Sequence, residues 1–180
     1  DVCSSDLVKH ELASSAYNKR RQSCEAAVAA IQKKHPHVEF LRDCTMEMLE
    51  EAKADISDED YMRAEYVIEE IQRVLDVCDA LEKDDYETVG QKMYETHHGM
   101  SKLYEVSCEE LDFLNDCAKE YGVTGSRVMG GGFGGCTINL VKDELYDNFV
   151  EKTKEAFKAK FGRSPKVYDV VIGDGSRRLE

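Results

Sequence analysis

The segment 126–137 reads SRVMGGGFGGCT, and five of its six central residues, 130–135, are glycine. Glycine has no Cβ and reaches positive φ without strain, but a run of glycines loses much chain entropy on folding. Such a run is typical of backbone that turns tightly or lies close to a ligand. The residues after it, Cys136 to Val141, predict a short β-strand. The sequence therefore predicts a glycine loop that leads into a strand.

The strand after the loop argues against the common nucleotide-binding loops. Gly130, Gly132 and Gly135 fit the pattern G-x-G-x-x-G, but a dinucleotide-binding loop opens a helix. A P-loop ends in Gly-Lys-Ser/Thr, whereas Cys136 and Thr137 follow Gly135 here. A protein-kinase glycine loop would lie near a Val-Ala-Ile-Lys strand, which the sequence lacks. Two interpretations stay open: a ligand-proximal loop of another kind and a glycine-rich turn between two strands.

Composition limits the class of protein. The 180 residues are 42% hydrophobic and 34% charged with 2 prolines, which predicts one folded, helix-rich domain or a large part of one. A net charge of −13 argues against nucleic-acid binding, which needs a basic face. The sequence shows neither a signal peptide nor the roughly 20 consecutive apolar residues that span a membrane, so it predicts a cytoplasmic protein without a membrane partner. The seven cysteines include no C-x-x-C pair, which favours reduced, mostly buried thiols.

Periodicity predicts helices first and strands later, an α+β arrangement with helices on an antiparallel or mixed sheet. Ser107 and Glu110 predict a capping box at the start of a helix that ends at Gly122. The other predicted elements are a helix from Ser14 to a stop at His35-Pro36, helices over 46–54 and 57–81, a helix that starts at Asp84-Asp85 and runs to Tyr104, a helix over 144–161 and a strand over 166–172. Ser57 is predicted to cap the longest helix. One buried face of that helix is predicted to comprise Tyr61, Ala64, Ile68, Ile71, Leu75 and Cys78, widened by Val67, Val74 and Leu81.

Three segments carry a family resemblance. Residues 125–136 resemble the third signature motif of galactokinases, a branch of the GHMP kinase family of galacto-, homoserine, mevalonate and phosphomevalonate kinases. Residues 8–21, VKHELASSAYNKRR, resemble the opening of the galactokinase C-terminal half, and 104–112, YEVSCEELD, resemble a helix start in it. The resemblance covers residues 8–180 and implies a GHMP kinase C-terminal domain, with helices packed on a small, mainly antiparallel sheet. Residues 1–7 do not resemble the apolar strand of the family, so we expect an atypical start, truncated or foreign.

The resemblance implies a transferase that moves the γ-phosphate of ATP to the 1-hydroxyl of D-galactose. It places the hydroxyl of Tyr17 on the sugar. It places the loop beside the transferred phosphate, with Gly131 also near the sugar; the loop residues are Gly130, Gly131, Gly132, Phe133, Gly134 and Gly135. Arg127 is the nearest cation and is expected either to orient phosphates or to form a structural salt bridge. His97 and His98 are expected to serve packing or capping.

The N-terminal half of galactokinases carries a sugar motif, a Ser-Ser nucleotide loop and an Asp base, and none of these occurs here. We therefore predict no catalytic residue and no metal ligand in this chain. ATP and Mg²⁺ are expected to bind through the N-terminal half, which is the expected partner together with galactose, and this chain alone is expected to be inactive. Two alternatives stay open: a kinase for another sugar, such as N-acetylgalactosamine or arabinose, and a non-catalytic galactose-binding regulatory relative.

Overall fold

A computed structural model describes residues 2–4, 15–171, 173 and 175. Six α-helices and four strands make up this part of the chain, with short 3-10 turns at 41–43, 53–55 and 143–145. The helices are α1 (Ser15–Ile31), α2 (Met46–Ala52), α3 (Asp58–Leu81), α4 (Tyr86–Lys102), α5 (Glu109–Glu120) and α6 (Tyr146–Phe161). The strands are β1 (Val2–Ser4), β2 (Gly125–Met129), β3 (Cys136–Leu140) and β4 (Lys166–Tyr168). Of the helices in this part, none combines the length and the apolar character needed to cross a bilayer.

The strands form one antiparallel sheet in the order β2-β3-β1-β4. In the β2–β3 hairpin, Gly125 lies opposite Leu140 and Met129 lies opposite Cys136, so the glycine loop is the hairpin connection. β1 lies between β3 and β4 and aligns Val2 with both Ile138 and Tyr168. Helices packed on a small antiparallel sheet confirm the predicted fold class.

Two apolar clusters support the region around the glycine loop. The first joins α1, α2 and α3 through buried residues, among them Ala27, Ile31, Val38, Leu49, Ala64 and Ile68. The second joins α3, α4, α5 and β2 through Tyr66, Met100, Val106, Leu111 and Val128, with Phe133 of the glycine loop packed against it. Both clusters include residues of α3, so this helix packs against both.

The predicted buried face of α3 is correct only in the N-terminal half of the helix. Ala64 and Ile68 are buried, and Ser57 caps the helix by accepting a hydrogen bond from the amide of Asp60. Beyond residue 70 the same stripe faces solvent, with Ile71, Val74, Leu75, Cys78 and Leu81 exposed. Periodicity reveals which side of a helix is apolar but not how far a neighbouring element covers it.

Several local predictions differ from the structure. The capping box at Ser107 is wrong: the N-cap of α5 is Cys108, and Ser107 donates its hydroxyl hydrogen to Asp112 instead. Strands β1 and β2 were not predicted, and the strand predicted over 166–172 ends at Tyr168. Residues 2–4 form a strand, which the sequence did not suggest there. Cysteines are less buried than predicted, because Cys117 is the only buried thiol among the six described ones.

Two glycines allow α4 to lie directly on β2. A Cβ at Gly90 would overlap the main-chain carbonyl of Thr124, and a Cβ at Gly125 would come within 2.5 Å of the Cα of Gly90. Close packing of this kind leaves no room for an added methyl group unless the backbone moves. The pair therefore sets the distance between α4 and the strand that leads into the glycine loop.

We predict that Gly90→Ala lowers the free energy of unfolding of this chain by about 1–2 kcal/mol. Alanine favours a helix over glycine by about 1 kcal/mol, but overpacking against backbone atoms costs about 1–3 kcal/mol and outweighs it. Urea denaturation measures the difference. Gly173→Ala is the control, because a Cβ there meets no atom within 4 Å. Stability of Gly90→Ala equal to or above that of the wild type would contradict the close approach.

Candidate active site at the glycine loop

The glycine loop consists almost entirely of backbone in the left-handed region. Its φ angles are 80° at Gly130, 77° at Gly132, 60° at Phe133, 128° at Gly134 and 91° at Gly135. Residues other than glycine rarely adopt such φ angles, which explains why the loop is almost all glycine. The loop joins two strands, as one of the two interpretations of the sequence expected. Gly130 and Gly131 are exposed, and a role close to a ligand stays a prediction.

The far side of the loop rests on residues 104–106, the segment between α4 and α5. The amide of Phe133 donates a hydrogen bond to the carbonyl oxygen of Val106 at 2.5 Å. A Cβ at Gly132 would overlap that same carbonyl, so glycine is required there by the protein itself. The amide of Val106 in turn donates to the carbonyl of Met100 at 2.8 Å. The loop is therefore fixed on its inner side and open at Gly130 and Gly131.

Helix α1 contacts the glycine loop through Arg20, and Tyr17 lies three residues before Arg20 on the same helix. Arg20 is 9% exposed, whereas Tyr17 is 49% exposed and presents its ring to solvent. The guanidinium of Arg20 lies 5.2 Å from the ring centroid of Phe133. Burial and the neighbouring Arg63 lower the pKa of Arg20, and the carboxylate of Glu105 opposes that shift; an arginine stays charged nonetheless. Thus α1 offers an exposed phenol next to a charged contact with the loop.

The structure places Arg127 on β2, ahead of the loop. It is half-buried, donates to the carbonyl of Val128 at 3.2 Å, and lies near enough to Tyr66 to affect its ionisation. Within the described residues Arg127 forms no ion pair closer than 4 Å, so the structural salt bridge considered for it is absent from that part of the chain. A role in orienting phosphates stays a prediction.

A partly buried network joins α4 and α5, and the sequence did not reveal that its members lie together. The carboxylate of Asp112 accepts hydrogen bonds from Ser101 at 2.8 Å and Ser107 at 2.5 Å, and it lies 3.2 Å from Nε2 of His97. His97 is 4% exposed, and burial holds its pKa below the ordinary value although Asp112 opposes this. His98 is exposed. The packing role expected for His97 agrees with its burial, and the network holds both ends of the segment that supports the loop.

Two carboxylates near the segment 104–106 are already paired. Glu105 interacts with Arg20 at 3.8 Å and Arg63 at 3.3 Å, while Asp112 belongs to the network with His97. Among the described residues no group of three or more His, Cys, Asp or Glu side chains could hold a metal ion. An open cavity of about 830 Å³ lies between α3 and α4 and includes no loop residue. The described residues around the loop therefore include exposed backbone at Gly130 and Gly131 and the buried guanidinium of Arg20.

Comparison with known proteins identifies relatives of this chain. Residues 77–159 match the family described as GHMP kinases C terminal. The galactokinase of Clostridium beijerinckii is 43% identical over 173 residues, which cover 95% of this chain and 44% of that protein. The galactokinase of Thermotoga petrophila is 39% identical over 173 residues, covering 96% of this chain and 47% of that protein.

A solved structure extends the similarity to three dimensions. The crystal structure of Lactococcus lactis galactokinase complexed with galactose superimposes with a TM-score of 0.88 at 26% identity. The match covers 99% of this chain and 46% of that one. The chain thus spans less than half the length of the relatives it matches.

The buried His97 predicts a pH dependence of stability. Its pKa is lower in the folded chain than in the unfolded chain, where it is about 6.5. As the pH falls, the unfolded state is therefore protonated at a higher pH than the folded state. The stabilising contribution is complete above about pH 6.5 and falls as the pH drops below that value. We expect His97→Gln to lose less stability than the wild type between about pH 7.5 and 5.5.

Denaturation curves at several pH values measure this slope. His98→Gln is the matched control, since His98 is the exposed neighbour on the same helix, and it should keep the wild-type slope. An identical slope for His97→Gln and the wild type would show that His97 does not change its proton affinity on folding.

Proposed function

Because this chain belongs to the GHMP kinase family and corresponds to the C-terminal part of galactokinases, we propose that it completes the active site of an ATP-dependent sugar kinase. The reaction is transfer of the γ-phosphate of ATP to the 1-hydroxyl of D-galactose, which yields galactose 1-phosphate and ADP. The observation that carries the proposal is the fixed glycine loop, with exposed backbone at Gly130 and Gly131, on the hairpin next to α1.

Phosphoryl transfer depends on positioning and on stabilisation of charge rather than on covalent chemistry by the protein. A loop that is rigid on its inner side and bare on its outer side suits that task, because backbone amides can approach phosphate oxygens closely. Gly130 and Gly131 are the proposed phosphate-proximal positions, and Arg127 is the proposed orienting cation on the strand before them.

Tyr17 is the proposed sugar contact. A phenol has an apolar face for a sugar ring and a hydroxyl that donates and accepts hydrogen bonds. Its side chain is half exposed, whereas the C-terminal part of α1 packs on α3 through Ala27, Ala30 and Ile31. A surface tyrosine on an anchored helix can therefore bind a ligand without a change in the fold.

Other parts of the reaction are assigned to the N-terminal half of the full-length protein. We assign neither the catalytic base nor Mg²⁺ coordination to this chain, because the galactokinase motifs expected to carry them do not occur in its sequence. ATP and Mg²⁺ would bind through the N-terminal half, with the assembled enzyme in the cytoplasm. The two halves together would bring the sugar hydroxyl and the γ-phosphate to the loop.

We predict that the 180-residue chain alone releases no ADP from ATP in the presence of galactose. The reason is that it supplies the loop and a sugar contact but neither base nor metal ligands. A coupled ADP assay measures this, with the full-length protein that contains this chain as the positive control and a panel of sugars including N-acetylgalactosamine and arabinose. Galactose-dependent ADP release by the chain alone would contradict the assignment of the base and the metal ligands to the N-terminal half. Absence of ADP release by the full-length protein with every sugar would contradict the proposed reaction.

In the full-length protein, Tyr17→Phe should weaken galactose binding by about 3- to 10-fold, the equivalent of one hydrogen bond of about 0.5–1.5 kcal/mol. Isothermal titration with galactose measures the effect. Tyr86→Phe is the matched control, since Tyr86 is 50% exposed and lies at the start of α4. Equal affinity of Tyr17→Phe and the wild type would remove the tyrosine hydroxyl from the sugar site.

A further inference from the structure

Arg20 contacts two separate segments of the site at once. Its Nε donates to the carbonyl of Tyr104 at 3.0 Å and one terminal nitrogen donates to the carbonyl of Glu105 at 2.7 Å. The guanidinium also lies over the ring of Phe133 in the glycine loop. One buried side chain of α1 therefore joins α1, the segment 104–106 and the loop.

The segment 104–106 adopts a conformation that needs such support. Glu105 has a φ of 52°, in the left-handed region that a residue with a side chain rarely occupies. Arg63 holds its carboxylate at 3.3 Å, and Arg63 is itself bonded to the hydroxyl of Ser23 at 2.9 Å. Arg20 holds the main chain and Arg63 holds the side chain, so the conformation is fixed from two directions.

The next residue transmits this placement to the loop. The carbonyl oxygen of Val106 accepts the amide hydrogen of Phe133, and Gly132 lies against the same carbonyl. A displacement of residues 104 and 105 would therefore shift the only described main-chain hydrogen bond that joins the glycine loop to this segment.

We propose that Arg20 is a positioning residue, which sets the geometry of the glycine loop relative to the helix that carries Tyr17. It acts through Val106 and Phe133 and does not itself touch a substrate. Arginine suits this role because its planar fork donates to two carbonyls and stacks on a ring, which a lysine ammonium does not do. The inference rests on the proposed function in one respect: it takes the glycine loop to lie at the transferred phosphate.

The first test uses amide hydrogen exchange in the 180-residue chain and does not depend on catalysis. Arg20→Met and Arg20→Lys should each speed the exchange of the Phe133 amide by about tenfold, as expected for a weakened hydrogen bond. Arg21→Met is the matched control, since Arg21 is the exposed neighbour and pairs with Glu25 at 2.8 Å on the same helix. It should leave Phe133 exchange unchanged.

The second test measures turnover and galactose affinity in the full-length protein. Because small misplacements of reacting groups cost up to about 100-fold in rate, Arg20→Lys should lower kcat by about 10- to 100-fold. The dissociation constant for galactose should stay within about 3-fold of the wild type, since Tyr17 is held by the packing of α1 on α3. A merely structural role would leave kcat unchanged once the protein is folded.

A third variant keeps the proposal testable if Arg20→Met fails to fold. Phe133→Leu removes the ring that Arg20 stacks on and keeps an apolar side chain in place. If the two residues act as one unit, Arg20→Lys combined with Phe133→Leu should lower kcat no further than the worse single variant. Multiplicative effects on kcat, or unchanged Phe133 exchange in Arg20→Lys, would overturn the proposal. A full-length wild type that phosphorylates no sugar would overturn the proposed function instead, while the exchange result would still decide whether Arg20 holds the loop.

Discussion

The carbonyl oxygen of Val106 is the point on which the glycine loop rests. It accepts the amide hydrogen of Phe133 at 2.5 Å and lies where a side chain on Gly132 would have to be. The loop has no regular structure of its own, since four glycines and Phe133 have positive φ. Its shape is therefore set by the hairpin at its ends and by this contact in its middle. α4, α5 and α1 all help to place the segment that provides the carbonyl.

The charged residues near the carbonyl of Val106 also support the loop from its inner side. The chain carries a net charge of −13, yet two buried arginines, Arg20 and Arg63, lie under the candidate site. Glu59 and Glu105 pair with Arg63, and Glu105 also lies near Arg20. A buried charge needs a partner and hydrogen bonds to be tolerated, and these arginines have both. The outer face of the loop is left as exposed backbone, which is where an anionic phosphate would approach under the proposed function.

The elements that the sequence predicted well are those with local causes. Ser57 caps α3 because a cap needs only a hydroxyl and an amide three residues on. The capping box at Ser107 failed because Asp112, five residues away on the other side of the helix start, binds the same hydroxyl. The C-terminal half of α3 shows the pattern of a buried face and is exposed, since periodicity carries no information about the neighbouring element. β2 was missed because glycine and polar residues obscure a strand that pairs along its whole length with β3.

By itself the sequence determined the glycine loop, the strand after it, the α+β class and the resemblance to GHMP kinases, because these depend on residue type and on spacing along the chain. Only the tertiary structure decided what the loop rests on. Arg20 reaches carbonyls that lie 84 and 85 residues further along the chain, and a main-chain carbonyl is present at every residue. The type of the accepting residue therefore does not reveal such a hydrogen bond. The link between α1, the segment 104–106 and the loop can be seen only in the folded structure.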